Sequence, residues 1–169
     1  TIWGAHFTFA KYSSKMKALL SGEEPNVFSA RFSGGALMDL GIYPIYAAHA
    51  LFGAPKTATY KAHQLENTID LNGHGSLIYP NFQVSILTGK NINSHLPSEI
   101  YTDQGTLTLN SIESIKSAVF LSLDGEETVL PIQSAQHPML EEAQAFAHIL
   151  SSKNRLLYEK WLDTAKNVH

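Results

Sequence analysis

An aspartate and a tyrosine stand four residues apart in the segment Phe32-Ser33-Gly34-Gly35-Ala36-Leu37-Met38-Asp39-Leu40-Gly41-Ile42-Tyr43-Pro44-Ile45. On a helix, positions four apart share a face, so Asp39 and Tyr43 are expected side by side. A carboxylate next to a phenol accepts its hydrogen bond and holds it in one orientation. Acting alone, that carboxylate also penalises phenolate and raises the phenol's pKa. A free tyrosine titrates near ~10, so proton transfer at neutral pH needs a cation nearby. No lysine accompanies the pair in this segment, and the cation is expected on polypeptide outside the chain. The plainer alternative is a capping-type aspartate and an amphipathic tyrosine. The Gly34-Gly35 step either lets backbone approach a flat ligand or lets helix and sheet pack closely.

Other chemistries find less support. The chain has no cysteine, which removes disulfides, thiolate nucleophiles, iron–sulfur clusters and cysteine zinc sites, and suits a reducing cytoplasm. His6, His49, His63, His74, His95, His137, His148 and His169 are scattered without helical i,i+4 pairing. His6 and His63 could meet across adjacent strands, but surface or hydrogen-bonded histidines are the simpler reading, and no metal site is expected. Gly73 and Gly75 approach the dinucleotide fingerprint G-x-G-x-x-G, yet Ile78 occupies its third glycine position. No P-loop, His-Glu-x-x-His or nucleophile-elbow motif occurs.

The elements that must position Asp39 and Tyr43 follow from periodicity and turn chemistry. Ile2, Gly4, His6 and Thr8 alternate with Trp3, Ala5, Phe7 and Phe9, which predicts a half-buried strand. Ser13 or Ser14 is placed to cap a short helix through Leu20, stopped by Gly22 and Pro25. Asn26 to Ser33 reads as a loop whose two phenylalanines fold back onto the domain. A long helix is expected from Gly35 to Phe52, with a kink or a displaced start at Pro44.

From Lys56 the pattern turns to strands. Ala58, Tyr60 and Ala62 face one way, and hairpins are expected at Pro80-Asn81, at Asp103-Gln104-Gly105 and at Asp124-Gly125. Two apolar stripes close the chain, Met139, Ala143, Phe146 and Leu150, then Leu157, Trp161, Ala165 and Val168. The sum is an α+β domain with an open sheet of about six to eight mostly antiparallel strands, covered on one face by helices.

Composition agrees. Of 169 residues, 44% are hydrophobic and only 16% charged, against roughly a quarter charged in average domains, which favours one packed core over disorder. The length accommodates a single domain spanning 1–169. A net charge of −3, with both signs mixed along the chain, gives no footprint for nucleic acid or for an anionic membrane surface. No apolar run approaches the roughly 20 residues of a membrane helix. The strand pattern starting at Ile2, directly after Thr1, suggests part of something longer.

The run Gly34-Gly35-Ala36-Leu37-Met38-Asp39-Leu40-Gly41-Ile42-Tyr43-Pro44, followed by Leu51-Phe52-Gly53, resembles the central motif of the glucose–fructose oxidoreductase/inositol dehydrogenase (Gfo/Idh/MocA) family. The element order is similar to that family's C-terminal domain across the chain, including Glu99-Ile100-Tyr101-Thr102-Asp103-Gln104-Gly105-Thr106-Leu107 and the late Glu141/Glu142-Ala143 helix. The resemblance implies a fold like the C-terminal domain of glyceraldehyde-3-phosphate dehydrogenase. It also implies an N-terminal Rossmann domain, absent here, that binds NAD or NADP and carries a catalytic lysine. Asp39 falls at the family's active-site aspartate. Tyr43 falls where many members carry histidine and some carry tyrosine, as general acid/base at a substrate hydroxyl or carbonyl.

Where the family often has a further acidic residue that contacts a sugar hydroxyl, this chain departs from the pattern with Pro44-Ile45-Tyr46. Tyr46 projects roughly onto the face of Asp39 and Tyr43, to line a pocket or to pack. Lys11, Tyr12 and Arg31 could reach a substrate carboxylate or cofactor phosphate, with solvated or structural roles as the alternative. The resemblance implies hydride transfer between nicotinamide and a small-molecule sugar, polyol or cyclic diol, with the isolated chain inactive. A homo-oligomer through the sheet face is the expected assembly, and a non-catalytic binding or dimerisation module is the competing reading.

Overall fold

In a computed structural model of the chain, residues 1–133, 137 and 139–168 are described; His169 lies outside them. Eight strands form one sheet: β1 (Ile2–Ala10), β2 (Thr57–Gln64), β3 (Asp70–Ile78), β4 (Gln83–Gly89), β5 (Ser98–Thr102), β6 (Gly105–Leu109), β7 (Ala118–Ser122) and β8 (Glu127–Leu130). Their spatial order is β2-β3-β4-β1-β5-β6-β7-β8. Every pairing is antiparallel except β1 with β4, where Ala5 to Ala10 run alongside Val84 to Gly89. The expected α+β architecture with an open, mostly antiparallel sheet is the one observed.

The three hairpins stand where turn residues mark them, joining β3 to β4, β5 to β6 and β7 to β8. One strand is longer than its composition suggests. β3 starts at Asp70, although Asn72, Gly73 and His74 are weak strand formers. The Tyr60 ring of β2 explains Gly73. It lies across that position so closely that a Cβ would stand 2.3 Å from Tyr60 Cζ.

The helical elements are α1 (Met16–Leu20), α2 (Ile42–Phe52), α3 (Leu140–Ser152) and α4 (Arg155–Val168). Ser13 supports the start of α1 by accepting the Lys15 N–H at 3.2 Å. The expected long helix from Gly35 to Phe52 is present, with helical residues unbroken from Ala36 to Phe52. A wide π-type turn over Leu37–Gly41 leads directly into α2, and Pro44, which has no N–H to donate, stands three residues past it. The segment thus accommodates Pro44 with a π irregularity within its length, not with a displaced start. At the other end Gly53 adopts φ +79°, and the Tyr79 hydroxyl donates to its carbonyl at 3.0 Å.

Register sorts the sheet into two faces. Ala5 and Phe7 of β1, Val84 and Ile86 of β4, Leu77 of β3 and Ile100 of β5 pack together with Ala48 of α2. Phe7 is fully buried and stacks on Phe52, ring centroids 6.2 Å apart. The opposite face carries His6, Ser85, His74, Glu99 and Tyr101. A second small core gathers Met16, Phe28, Ile69 and Leu71 under the residue 26–32 loop. That loop folds back through Phe28 alone; Phe32 stays exposed.

Two sequence readings meet the structure differently. The contact between His6 and His63 that the sequence allowed does not form, because β3 and β4 separate β2 from β1. The His6 Nδ1 instead lies 2.9 Å from Ser85 Oγ, and burial pushes its pKa below the usual histidine value, against the opposing charge of Glu99. Among the described residues no cluster of His, Cys, Asp or Glu could hold a metal. Secondly, the α3 stripe is not packed: Phe146 is 63% exposed, and α3 buries no side chain. Among the described residues no helix is long and apolar enough to cross a membrane.

Replacing Phe7 by Ala removes a ring from the middle of the main core and is expected to destabilise the chain by about 3–5 kcal/mol. Urea unfolding followed by far-UV circular dichroism measures this. A change below about 1 kcal/mol would mean that the core does not centre on β1.

Candidate active site

Side chains from the sheet hold the segment that carries Asp39. At the start of β3, the Asp70 carboxylate accepts the Leu37 N–H at 2.8 Å and the Tyr60 hydroxyl at 2.6 Å, both on Oδ2. It thus satisfies one of the free N–H groups at the opening of the helical segment. This contact dictates glycine at position 35. Gly35 sits at φ +122°, and a Cβ there would stand 2.1 Å from Asp70 Oδ1. From β4, the buried Thr88 donates its hydroxyl to the Ala36 carbonyl at 3.1 Å. Gly34 packs against the chain itself, since a Cβ there would meet the Val27 carbonyl carbon at 2.7 Å.

Lys90, just past β4, supplies the third hold. Its ammonium pairs with Asp39 Oδ2, donates to the Val27 carbonyl at 3.2 Å and lies 5.3 Å from the Phe28 ring centroid. A cation for Asp39, which the sequence reading did not anticipate, is thus present in the chain itself. Asp39 does not hold Tyr43, since it is paired with Lys90 and no hydrogen bond joins the two. Tyr43 rests its ring edge-on against Phe9, centroids 5.3 Å apart.

Both side chains nevertheless reach solvent, Asp39 at 49% exposure and Tyr43 at 47%. Asp39 borders a groove of about 200 Å³ with Asn26, Val27, Phe32, Ser33, Gly34 and Met38. Gly34 thereby reaches the site while Gly35 faces Asp70. Arg31 sits over the ring of the groove residue Phe32, 5.4 Å from its centroid, and is not itself among the groove's lining residues. Lys11 lies elsewhere, in a cavity of about 390 Å³ that also includes Phe9, Asn93, His95 and Glu113. Phe9 thus stands between that cavity and Tyr43. Tyr12 is exposed, its N–H held by Asn93 Oδ1 at 2.8 Å, and Tyr46 is exposed on α2.

The sequence reading missed Asp70, Thr88 and Lys90. For Lys90 and Thr88 a signal existed, since Val84, Ile86, Thr88 and Lys90 alternate in phase on one side of a strand. An ammonium in register with buried valine and isoleucine demands a buried partner.

The GFO/IDH/MocA C-terminal domain model matches residues 2–108. The chain belongs to the Gfo/Idh/MocA family. It is 32% identical to the scyllo-inositol 2-dehydrogenase (NADP(+)) IolU of Bacillus subtilis over 94% of its own length and 50% of that protein. It is 33% identical to the uncharacterised oxidoreductase YgjR of Escherichia coli, over 85% of this chain and 44% of that one. The chain therefore spans about half the length of these relatives. Among solved structures, KijD10, a 3-ketoreductase from Actinomadura kijaniata in complex with NADP and TDP-benzene, superposes with a TM-score of 0.70 at 21% identity, over 90% of this chain and 47% of that one. An oxidoreductase from Agrobacterium radiobacter, in complex with NAD+, L-tartaric acid and magnesium, gives 0.62 at 18% identity, over 90% and 48%. These likenesses establish the fold.

Burial, then the hydrogen bond to Asp70 and that carboxylate's charge, raise the Tyr60 phenol well above its ordinary value. In the unfolded chain the same phenol ionises near ~10. Its contribution to stability is thus complete below that pH and declines above it, because only the unfolded form releases the proton readily. Urea midpoints measured between about pH 8 and 11 are expected to fall more steeply for the native chain than for Tyr60→Phe. Parallel slopes would show that Tyr60 ionises freely in the fold.

Proposed function

We propose that this chain is the substrate-binding half of an NAD(P)-dependent oxidoreductase acting on a sugar, polyol or cyclic diol. The observation that carries the reading is Asp39, a solvent-reaching carboxylate fixed at one oxygen by a buried cation and bordering a groove, with Tyr43 one helical turn further on. The B. subtilis relative, a polyol dehydrogenase by name, supports the substrate class. A nicotinamide held by another domain would supply hydride transfer at the substrate carbon. Tyr43 takes the proton from the substrate hydroxyl in oxidation and returns it to the carbonyl oxygen in reduction. Asp39 accepts a hydrogen bond from a neighbouring substrate hydroxyl and fixes its orientation. Arg31, stacked on the groove residue Phe32, is the candidate for a polar contact at the periphery, while Lys11 lies in a separate cavity.

The residues present do not make a dinucleotide cradle. The fingerprint is missing, Gly35 is occupied by Asp70, and only Gly34 offers backbone to the groove. NAD or NADP is therefore assigned mainly to a Rossmann domain outside this chain, together with the lysine that lowers the cost of phenolate at Tyr43. A reducing, cytoplasmic setting suits the cysteine-free composition. The face bearing His6, Ser85, His74, Glu99 and Tyr101 is not covered by α2, and a second copy is the proposed occupant, giving a homo-oligomer through the sheet.

In the protein that joins this chain to its cofactor-binding domain, Tyr43→Phe and Asp39→Asn are each expected to lower kcat by about 10²–10⁴ with folding intact. The chain alone is expected to leave NAD(P)H unconsumed. Steady-state kinetics on candidate polyols decides the matter: wild-type turnover in both variants removes the catalytic assignment.

A further inference from the structure

Lys90 is the most deeply buried charged side chain near the groove, at 2% exposure. Its backbone is fixed from both sides, donating its N–H to the Leu71 carbonyl at 2.7 Å and accepting the Ser13 N–H at 2.7 Å. The side chain follows Val84, Ile86 and Thr88 in phase toward the motif segment. There its ammonium finds one carboxylate, Asp39, and one carbonyl, Val27, beneath which lies the Phe28 ring. A substrate in the groove has no access to it.

The two partners are unequal. An ammonium removed from water is strongly penalised when left without its counter-ion, whereas a half-exposed carboxylate can be solvated in several rotamers. The rigid buried member therefore determines where the mobile exposed one stands. Oδ2 is held by Lys90, and Oδ1 has no partner among the described residues. The same ammonium grips Val27, which lines the groove with Asn26, Phe32 and Gly34.

We propose that Lys90 is a positioning residue for the reaction. It fixes one oxygen of Asp39, presents the other to substrate, and keeps the 26–34 loop in register with that carboxylate. The inference rests on the catalytic reading of Asp39 and adds a residue that touches neither substrate nor cofactor.

The test is a double-mutant cycle of Lys90→Met and Asp39→Asn in the oxidoreductase that carries this chain, read both by kinetics and by thermal midpoint. Lys90→Met is expected to lower kcat by a factor close to that of Asp39→Asn while changing KM far less. In the Asp39→Asn background it is expected to lower kcat no further. Lys90→Arg, which restores the charge with a different shape, is expected to recover part of kcat. The thermal midpoint supplies a readout independent of turnover. Asp39→Asn alone strands the ammonium and lowers the midpoint, and adding Lys90→Met is expected to raise it again.

Full turnover in Lys90→Met together with lost turnover in Asp39→Asn overturns the positioning role and leaves the proposed function standing. Additive losses of kcat, or failure of Lys90→Met to fold in either background, make Lys90 a structural residue and also overturn it. Wild-type turnover in Asp39→Asn removes the catalytic reading itself, and the role of Lys90 with it.

Discussion

The arrangement depends on the grip that the sheet takes on seven residues, from Gly35 to Gly41. Asp70 accepts the Leu37 N–H, Thr88 donates a hydrogen bond to the Ala36 carbonyl, and Lys90 pairs with the Asp39 carboxylate. The first satisfies a main-chain N–H that a helical segment leaves open at its start, and the second adds a side-chain donor to a carbonyl there. The third is a charge pair with one buried member. A wide turn is a poor stand-alone conformation and survives where its surroundings fix it. Here the surroundings are side chains from β3, β4 and the residue just past it, which is why the site forms on this sheet and not on an isolated helix.

Much of the fold was legible in local chemistry. Turn residues marked the three hairpins, alternation marked β1, and the helix expected through Phe52 marked the end of α2. What escaped was decided by partners distant in sequence. The first half of β3 is strand because β2 and β4 pair with it and Tyr60 covers Gly73, not because Asn72-Gly73-His74 prefers to extend. The parallel pairing of β1 with β4 leaves no local mark at all.

The site shows the same division. Asp39 and Tyr43 stood out by type and spacing, and both do reach solvent. Their expected mutual hydrogen bond does not form, because a residue 51 positions further along claims the carboxylate. Lys90 was readable by phase, yet nothing local to Asp39 pointed to it. Gly35 was open to two explanations, and the structure displays close packing on Asp70. The apolar stripe of α3 predicted an amphipathic helix correctly, but a periodic stripe says only that a surface wants cover, not that this chain provides it.

The central place of β1 carries a kinetic consequence. On one flank β2, β3 and β4 form a meander, on the other β5 to β8 do the same, and each can zip from short loops. The first-made strand joins them, and its parallel partner begins at residue 84. A contact of such high order carries a large loop-closure entropy and slows folding. A ribosome must therefore deliver β5, through Thr102, before the seam between the two meanders can close. The β3 and β4 floor on which Asp39 rests lies within one meander and can be assembled ahead of that late event.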